Sequence, residues 1–166
     1  MKAGDAVFVP AGVVHAIEAG IFVLELQEPT DLSILLEWDG FAVDGDKDGH
    51  LDLGFDTALD ALRLTPLSVN EESEILTKFE IKGKTGKKIF NQIADQFFRA
   101  DFIAGDQNEF EAGFGIYLNL SSDGVIQFEN SDEISLQRGD AVLIPHSAGA
   151  SSFKNCSGIL ARPPAA

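Results

Sequence analysis

The feature that most constrains the fold of this chain is an internal repeat. Residues 2–12 read KAGDAVFVPAG and residues 137–147 read QRGDAVLIPHS, so that GDAV is identical and the proline keeps its position. Glycine followed by aspartate favours a tight turn, and the apolar run after it favours a strand that ends at the proline. Such self-similarity indicates that one structural unit occurs twice. The repeat therefore predicts two copies of one β-barrel element, the first cut off before its own beginning.

Short apolar runs occur along most of the chain and predict strands. The first part contains AVFVP, VVHAI, IFVLEL and LSILLEW, which are separated by Pro10, Gly12, Gly20 and Pro29. The second half contains FFRADFIAG, FGIYLNLSS, GVIQFEN, EISLQRGDAVLIP and GILARPP, with no long helix between them. This pattern predicts an antiparallel β-sandwich or barrel. Its core is predicted to include five aromatic side chains: Phe97, Phe98, Phe102, Phe110 and Phe114.

The stretch between these two parts predicts a helix followed by a connector. GFDTALDALRL indicates a short helix, because Phe55, Leu59 and Leu62 fall on one face. Residues 66–88 combine an acidic stretch with the basic stretch KGKTGKK, which is typical of a connector. The basic stretch lacks the first glycine of a P-loop, since Lys78 stands there, and we interpret it as a solvated loop.

The acidic loop DGDKDGHLDLGF resembles a calcium-binding loop only in its first half. Asp44, Asp46, Asp48 and Gly49 match the opening positions of an EF-hand. Phe55, however, stands where that loop requires a bidentate glutamate. The pattern therefore predicts a solvated loop.

Composition excludes several classes of function. The net charge of −15 argues against binding to nucleic acid or to an anionic membrane. Cys156 is the single cysteine, so neither an intrachain disulfide nor a cysteine-based zinc site can form within the chain. No secretory leader is apparent, and no apolar run approaches the roughly 18 residues that span a bilayer. We therefore expect a cytoplasmic protein.

The first copy of the repeat continues into a histidine at a characteristic distance. Gly4, Pro10, Gly12 and His15 follow the spacing G-x5-P-x-G-x2-H. On a strand, alternation would turn the odd-numbered residues of 13–17, His15 included, towards the barrel interior. The spacing resembles the second conserved motif of the cupins, small antiparallel barrels that often hold one metal. His15 is then either a metal ligand or a core histidine bonded to a backbone carbonyl, and the spacing favours the ligand.

Over most of its length the chain resembles the C-terminal half of class I mannose-6-phosphate isomerases. PAGVVHAI, LELQEPTD and GHLDLGFDTALDAL carry this resemblance. It implies an all-β, cupin-type antiparallel barrel or jelly roll, with a partial first cupin, a degenerate second cupin and a short helix between them. Residues 1–65 would be the C-terminal part of the first cupin with the helix, 66–95 a connector, and 96–166 the second cupin.

The same resemblance implies an activity and a site. Members of the family interconvert mannose 6-phosphate and fructose 6-phosphate with a bound zinc or similar divalent metal. His15 would be the last metal ligand, Glu25 a catalytic carboxylate and Gln27 a substrate-binding residue, the last two lying two positions apart on the next strand. The family's other ligands lie on strands before this motif. Its sugar-phosphate arginines fall on Leu35 and Phe41 in this chain.

Two classes of function remain open at this stage. One is the metal-dependent isomerase, with a sugar phosphate as substrate; a cupin dioxygenase would need iron and faces the same shortage of ligands. The other is a non-catalytic cupin module that binds a sugar or pairs with a protein, in which Glu25 is a hydrogen-bonded carboxylate. The second copy has Ala150 at the position of His15, which favours a structural barrel. An unfinished first barrel exposes strand edges and apolar surface, so we expect a homo-oligomer.

Overall fold

The computed structural model describes residues 1–28, 32–78, 87–106 and 108–164. Pro29 and residues 82–86 of the basic stretch lie outside this part. The strands are β1 (Ala6–Val7), β2 (Leu76–Thr77), β3 (Lys87–Lys88), β4 (Arg99–Gly105), β5 (Asn108–Phe110), β6 (Gly115–Asn119), β7 (Asp123–Phe128), β8 (Ile134–Gln137), β9 (Ala141–Ile144), β10 (Ser151–Lys154) and β11 (Cys156–Arg162). The α-helices are α1 (Gly45–Asp48), α2 (Phe55–Ala58) and α3 (Val69–Ile75), and 3₁₀ helices cover Leu59–Ala61, Gln92–Gln96 and His146–Ala148.

The chain divides into two compact units. The first consists of Met1–Phe8 together with Val69–Ala166, and the second of Val9–Ser68. The first unit contains all the strands of the described residues, and the second contains α1 and α2.

Strands β3 to β11 of the first unit form a jelly roll. One sheet has the order β3-β4-β11-β6-β9 and the other the order β5-β10-β7-β8, and all their pairings are antiparallel. Following the chain, β4 pairs with β11, β5 with β10, β6 with β9, and β7 with β8. This is one long hairpin wrapped across two sheets, the double-sheet topology that cupins share. The predicted all-β, cupin-type fold is confirmed.

The core lies between the two sheets and is filled by side chains from both. The five-stranded sheet contributes Tyr117 and Leu160, and the four-stranded sheet contributes Ile126 and Phe153. The rings of Tyr117 and Phe153 lie 4.8 Å apart, centroid to centroid. Each buried strand alternates between core and surface, as the burial pattern of β11 shows.

The five long runs of the second half all contain strands, but four strands and some core residues differ from prediction. The pattern missed β5 and β10, and it also missed β2 and β3 within the predicted connector; all four are short. Phe102 is buried as expected. Phe114 is 47% exposed, so its assignment to the core is wrong. Phe97 and Phe98 pack on Phe8, with centroid distances of 5.5 and 6.0 Å, outside the main core cluster.

The second unit differs from prediction because its apolar runs form no strands. Within the described part of residues 13–43, none of VVHAI, IFVLEL and LSILLEW has a strand partner. The predicted helix is present as α2 and the 3₁₀ turn after it, with Ala58 as its buried residue. Trp38 stacks on Phe55 at 5.7 Å and leaves no room for a side chain at Gly45.

Candidate functional site

The two copies of the repeat adopt the same turn. In the first, the carboxylate of Asp5 accepts a hydrogen bond from the backbone N–H of Lys2 at 2.8 Å. In the second, Asp140 accepts one from the backbone N–H of Gln137 at 2.7 Å. The glycine directly before the aspartate has a positive φ in both copies, 95° at Gly4 and 92° at Gly139, a conformation that favours glycine. The repeat predicted from sequence is therefore a repeat of structure.

The correspondence continues beyond the turn. The backbone N–H of Val13 donates to the carbonyl of Pro10 at 3.2 Å, and that of Ala148 donates to Pro145 at 3.0 Å. Further along, Gly20 has a φ of 86°. The residue at the matching distance in the second copy, Asn155, has a φ of 52° and lies between β10 and β11. The first copy thus has the turns that would separate two strands.

The two copies differ in what these turns connect. In the second copy β10 pairs with β5 and β7, and β11 pairs with β4 and β6. The matching residues of the first copy form no strand, and we call residues 13–27 the unpaired segment. Its apolar side chains are exposed to the following fractions: Val14 59%, Ile17 56%, Ile21 54%, Phe22 102%, Val23 46% and Leu24 46%.

His15 lies on the unpaired segment and is exposed, so the prediction that it faces a barrel interior does not hold in this structure. Its ring Nδ1 lies 3.0 Å from the carbonyl oxygen of Val13, two residues away. Ala150, the matching residue of the second copy, is exposed too. In the second copy β10 follows directly and buries Ser151 and Phe153, so alternation along that strand turns the position of Ala150 away from the core even where a sheet is present.

The described residues form no site for a zinc or other divalent metal. A zinc site needs at least three protein ligands at one point. Within the described residues, no three His, Cys, Asp or Glu side chains lie close enough together to hold a metal ion. Among the described residues, the structure therefore does not bring His15 together with further metal ligands.

The other predicted site residues also lie on the surface. Glu25 and Gln27 are exposed on the unpaired segment. Phe41, one of the two positions matching the family's arginines, is 73% exposed. At the other position, the backbone N–H of Leu35 donates to the carbonyl of Gly49 at 2.9 Å.

The loop that resembles an EF-hand adopts a helical turn instead. Residues Gly45–Asp48 form α1, and the side chain of Asp44 caps it by accepting from the N–H of Lys47 at 3.3 Å. Gly49, which a calcium loop needs in a sharp turn, has a right-handed helical conformation. The ring of His50 packs edge-on against Phe55 at 5.2 Å.

The interior of the jelly roll contains a polar network that the sequence did not signal. Asn119 is fully buried; its amide nitrogen donates to the carbonyls of Ser121 and Gln137 at 3.1 and 3.0 Å. Its amide oxygen accepts from the hydroxyls of Tyr117 at 3.2 Å and Ser121 at 2.7 Å. Asn119 thereby fastens the second copy's turn to β6.

Burial also sets the acidity of two groups in this interior. It raises the pKa of the Tyr117 hydroxyl far above its ordinary value, and the nearby Cys156 thiol adds to the effect. Burial likewise raises the pKa of the Cys156 thiol, against the lowering effect of its hydrogen bonds with Tyr117, Val125 and Lys154. Both groups are therefore neutral near pH 7 and act as core side chains.

At the end of β11, Arg162 forms an ion pair. Its guanidinium lies 2.5 Å from the carboxylate of Asp101 and stacks over the ring of Phe110 at 4.9 Å. Both partners of the ion pair are largely buried, so removing either would leave a charge without its partner.

Among the described residues, no helix is both long enough and apolar enough to cross a membrane.

Comparison with known proteins bears on the fold. No protein-family model matches the sequence, and no curated protein matches it. Among solved structures, a cupin family protein with a double-stranded β-helix fold from Methanocaldococcus jannaschii is 13% identical, covering 52% of this chain and 87% of its own, with a TM-score of 0.42. A cupin-2 domain containing protein from Shewanella frigidimarina is 16% identical, covering 49% of this chain and 82% of its own, with a TM-score of 0.36.

A mannose 6-phosphate isomerase from Salmonella typhimurium, bound to substrate and zinc, is 14% identical, with a TM-score of 0.46. The match covers 66% of this chain and 27% of the isomerase chain, so it spans about a quarter of that enzyme. Because these similarities are distant and partial, the cupin-type description of this chain depends on its own strand pairing.

Proposed function

We propose that this chain is a cupin module whose function is protein association, through pairing of its unpaired segment with the same segment of a second copy. The observation that carries the proposal is the difference between the two halves of the repeat. They share their turns, yet β10 and β11 of the second copy are paired and bury core residues, whereas most apolar residues of the unpaired segment are exposed.

The sequence of the segment supports a strand with both faces covered. Residues 21–27 read IFVLELQ, with apolar side chains at both even and odd positions up to Leu24. A strand that is apolar on both faces is typical of one buried on both sides. Soluble monomers rarely expose contiguous apolar patches of this kind, and exposed patches mark interaction sites.

A second copy is the partner that supplies a matching strand. Two identical strands can pair antiparallel about a two-fold axis, which places the like faces of the two strands on the same side of the sheet that they form. The backbone hydrogen bonds of strand addition would supply affinity, and the alternating apolar side chains would supply specificity.

Sedimentation equilibrium on three proteins tests this proposal. We expect the wild type to be at least a dimer and the Phe22→Ser/Leu24→Ser variant to sediment at a lower mass. Leu64→Ser is the matched control, because Leu64 is also an apolar residue of the second unit and is 87% exposed, but lies outside the segment. The proposal is wrong if the segment variant keeps the wild-type mass.

A second candidate is the sugar-phosphate isomerase, in which other polypeptide strands would complete a site that includes His15, Glu25 and Gln27. One observation favours it: the turn around Gly4 and the Pro10–Val13 hydrogen bond preserve the cupin motif as far as His15. Zinc, manganese and iron per chain should be measured beside turnover of mannose 6-phosphate, in wild type and His15→Ala. About one metal per chain that His15→Ala loses, together with turnover, would support this candidate. No metal and no turnover in the wild type would exclude it.

A further inference from the structure

Four aspartates of the chain are followed directly by glycine: Asp39, Asp44, Asp48 and Asp123. At such a pair the backbone nitrogen of the glycine can attack the side-chain carboxyl carbon of the aspartate and close a succinimide ring. Glycine hinders this attack least, because it has no Cβ beside the nitrogen. Since all four pairs share a glycine, the local structure decides which of them reacts first in the folded protein.

Ring closure needs an aspartate whose backbone can rotate and a glycine nitrogen that is free to approach the carboxyl group. A pair that is held in a helix, in a strand or by a cap meets neither condition until that segment opens locally, which costs free energy. A pair in an exposed turn meets both conditions in the native state. The four pairs therefore differ according to the elements in which they lie.

Two of the pairs lie in regular structure. Asp123 and Gly124 belong to β7, which pairs with both β8 and β10, and Gly124 is buried. Asp48 is the last residue of α1, and the N–H of Gly49 donates to the carbonyl of Gly45 at 2.9 Å. Ring closure at either pair therefore requires the surrounding structure to open first.

A third pair caps α1. The carboxylate of Asp44 accepts a hydrogen bond from the N–H of Lys47 at 3.3 Å, so the group that would react is already engaged. Gly45 is buried, and the ring of Trp38 lies where a side chain at Gly45 would be. Ring closure here would break the cap and would press new atoms against Trp38.

The fourth pair lies in an exposed turn. The N–H of Phe41 donates to the carbonyl of Trp38 at 3.1 Å, so Asp39 and Gly40 occupy the two central positions of a β-turn. Both residues are exposed, and apart from its chain neighbours nothing lies within 4 Å of a Cβ built on Gly40. Among the residues that the structure describes, neither the carboxylate of Asp39 nor the N–H of Gly40 has a hydrogen-bond partner.

We infer that Asp39 is a modification site, where this chain forms isoaspartate ahead of its three other Asp-Gly pairs because the turn leaves both reacting groups free. The nitrogen of Gly40 bonds to Cγ of Asp39, and the N–H proton and the carboxyl OH leave as water. A second water then opens the ring. Opening at Cγ restores aspartate, whereas opening at the main-chain carbonyl leaves the chain running through Cβ and Cγ, which is isoaspartate. The net change is an isomerisation, so no oxidant, reductant or other co-reactant is needed.

Peptide mapping of the full chain after incubation at neutral pH tests this inference. Isoaspartate is detected by methyl transfer from labelled S-adenosylmethionine with an isoaspartyl methyltransferase, and fragment masses assign its position. In folded protein we expect several-fold more isoaspartate at Asp39 than at any other Asp-Gly pair, and in urea similar amounts at all four. The inference is overturned if another pair matches Asp39 in folded protein, or if the preference for Asp39 is equally large in urea.

A matched pair of variants tests the same site by total methyl acceptance. Asp39→Glu keeps the charge but would have to close a larger ring, which forms far more slowly, so the incubated variant should lose most of the wild-type acceptance. Asp48→Glu is the control and should keep it. Far-ultraviolet circular dichroism checks that both variants are folded. Wild-type acceptance in Asp39→Glu would contradict the inference. The result is independent of the proposed association, because Asp39 lies outside the unpaired segment.

Discussion

Asp140 accepts a hydrogen bond from the backbone N–H of Gln137 at 2.7 Å, and 135 residues earlier Asp5 does the same for Lys2 at 2.8 Å. The two turns share this bond and a positive-φ glycine, Gly4 or Gly139. They differ in their surroundings, since Asn119 fastens only the second turn among the described residues. The chain thus holds one copy of the element whose strands β10 and β11 are paired, and one copy in which the matching residues, 13–27, form no strand.

Replacing Asp140 with alanine should destabilise the jelly roll modestly. The variant loses a bond from Gln137 to an exposed carboxylate, which contributes about 1 kcal/mol to the free energy of unfolding. Urea unfolding followed by circular dichroism measures the change. Asp140→Asn is the control, because its amide oxygen can still accept the bond, and it should lose less. Equal losses in both variants would contradict this role for the oxygen.

Asn119→Asp should be more damaging than Asp140→Ala, although it is nearly isosteric. The substitution replaces two buried N–H donors with an oxygen that faces the carbonyls of Ser121 and Gln137. Leaving such buried acceptors unsatisfied costs about 1–3 kcal/mol, and burying the new charge adds to this. Urea unfolding again provides the measurement. A variant as stable as the wild type would show that this network does not hold the turn.

Gly158→Ala should destabilise the jelly roll through a steric clash. A Cβ at this position would clash with the carbonyl oxygen of Leu118 and with the hydroxyl of Tyr117. Overpacking of this kind costs about 1–3 kcal/mol, and more where the backbone cannot move. Gly113→Ala is the control, since its Cβ would meet only a carbonyl at 3.8 Å. Thermal unfolding should separate the two variants clearly.

The single tyrosine, Tyr117, should link stability to alkaline pH. Burial raises the pKa of its hydroxyl, so the unfolded chain, with a pKa of about 10, releases this proton more readily. The contribution to stability is therefore complete below about pH 10 and falls as pH rises beyond that value. Tyrosinate absorbance near 295 nm should appear only as the protein unfolds. Tyrosinate formation near the ordinary tyrosine pKa of about 10, in protein that is still folded, would contradict the burial.

The strands of the second half could be predicted from the sequence because their apolar runs have pairing partners within the same chain. FGIYLNLSS, for example, contains β6, which lies between β9 and β11. IFVLEL has an equally strong strand pattern but forms no strand, because strand formation depends on a neighbour that pattern analysis does not see. The assignment of Phe114 to the core was wrong for a related reason, since alternation leaves a residue outside the strand undefined.

The candidate site was predictable in part. The repeat and the turn geometry around Gly4 followed from GDAV and the proline spacing. The orientation of His15 did not, because it requires the sheet that the segment would join. Nothing in the sequence signalled Asn119 as the residue that ties Tyr117 to the second turn, since a lone asparagine in a strand has no distinctive pattern.

Amide hydrogen exchange of residues 21–27 tests the central claim most directly. The account predicts that in concentrated protein these amides are protected to a degree comparable with Cys156–Arg162, and that the protection is lost on dilution and in Phe22→Ser/Leu24→Ser. Rapid exchange of these amides at every protein concentration would show that the segment does not pair, and would contradict the proposed association.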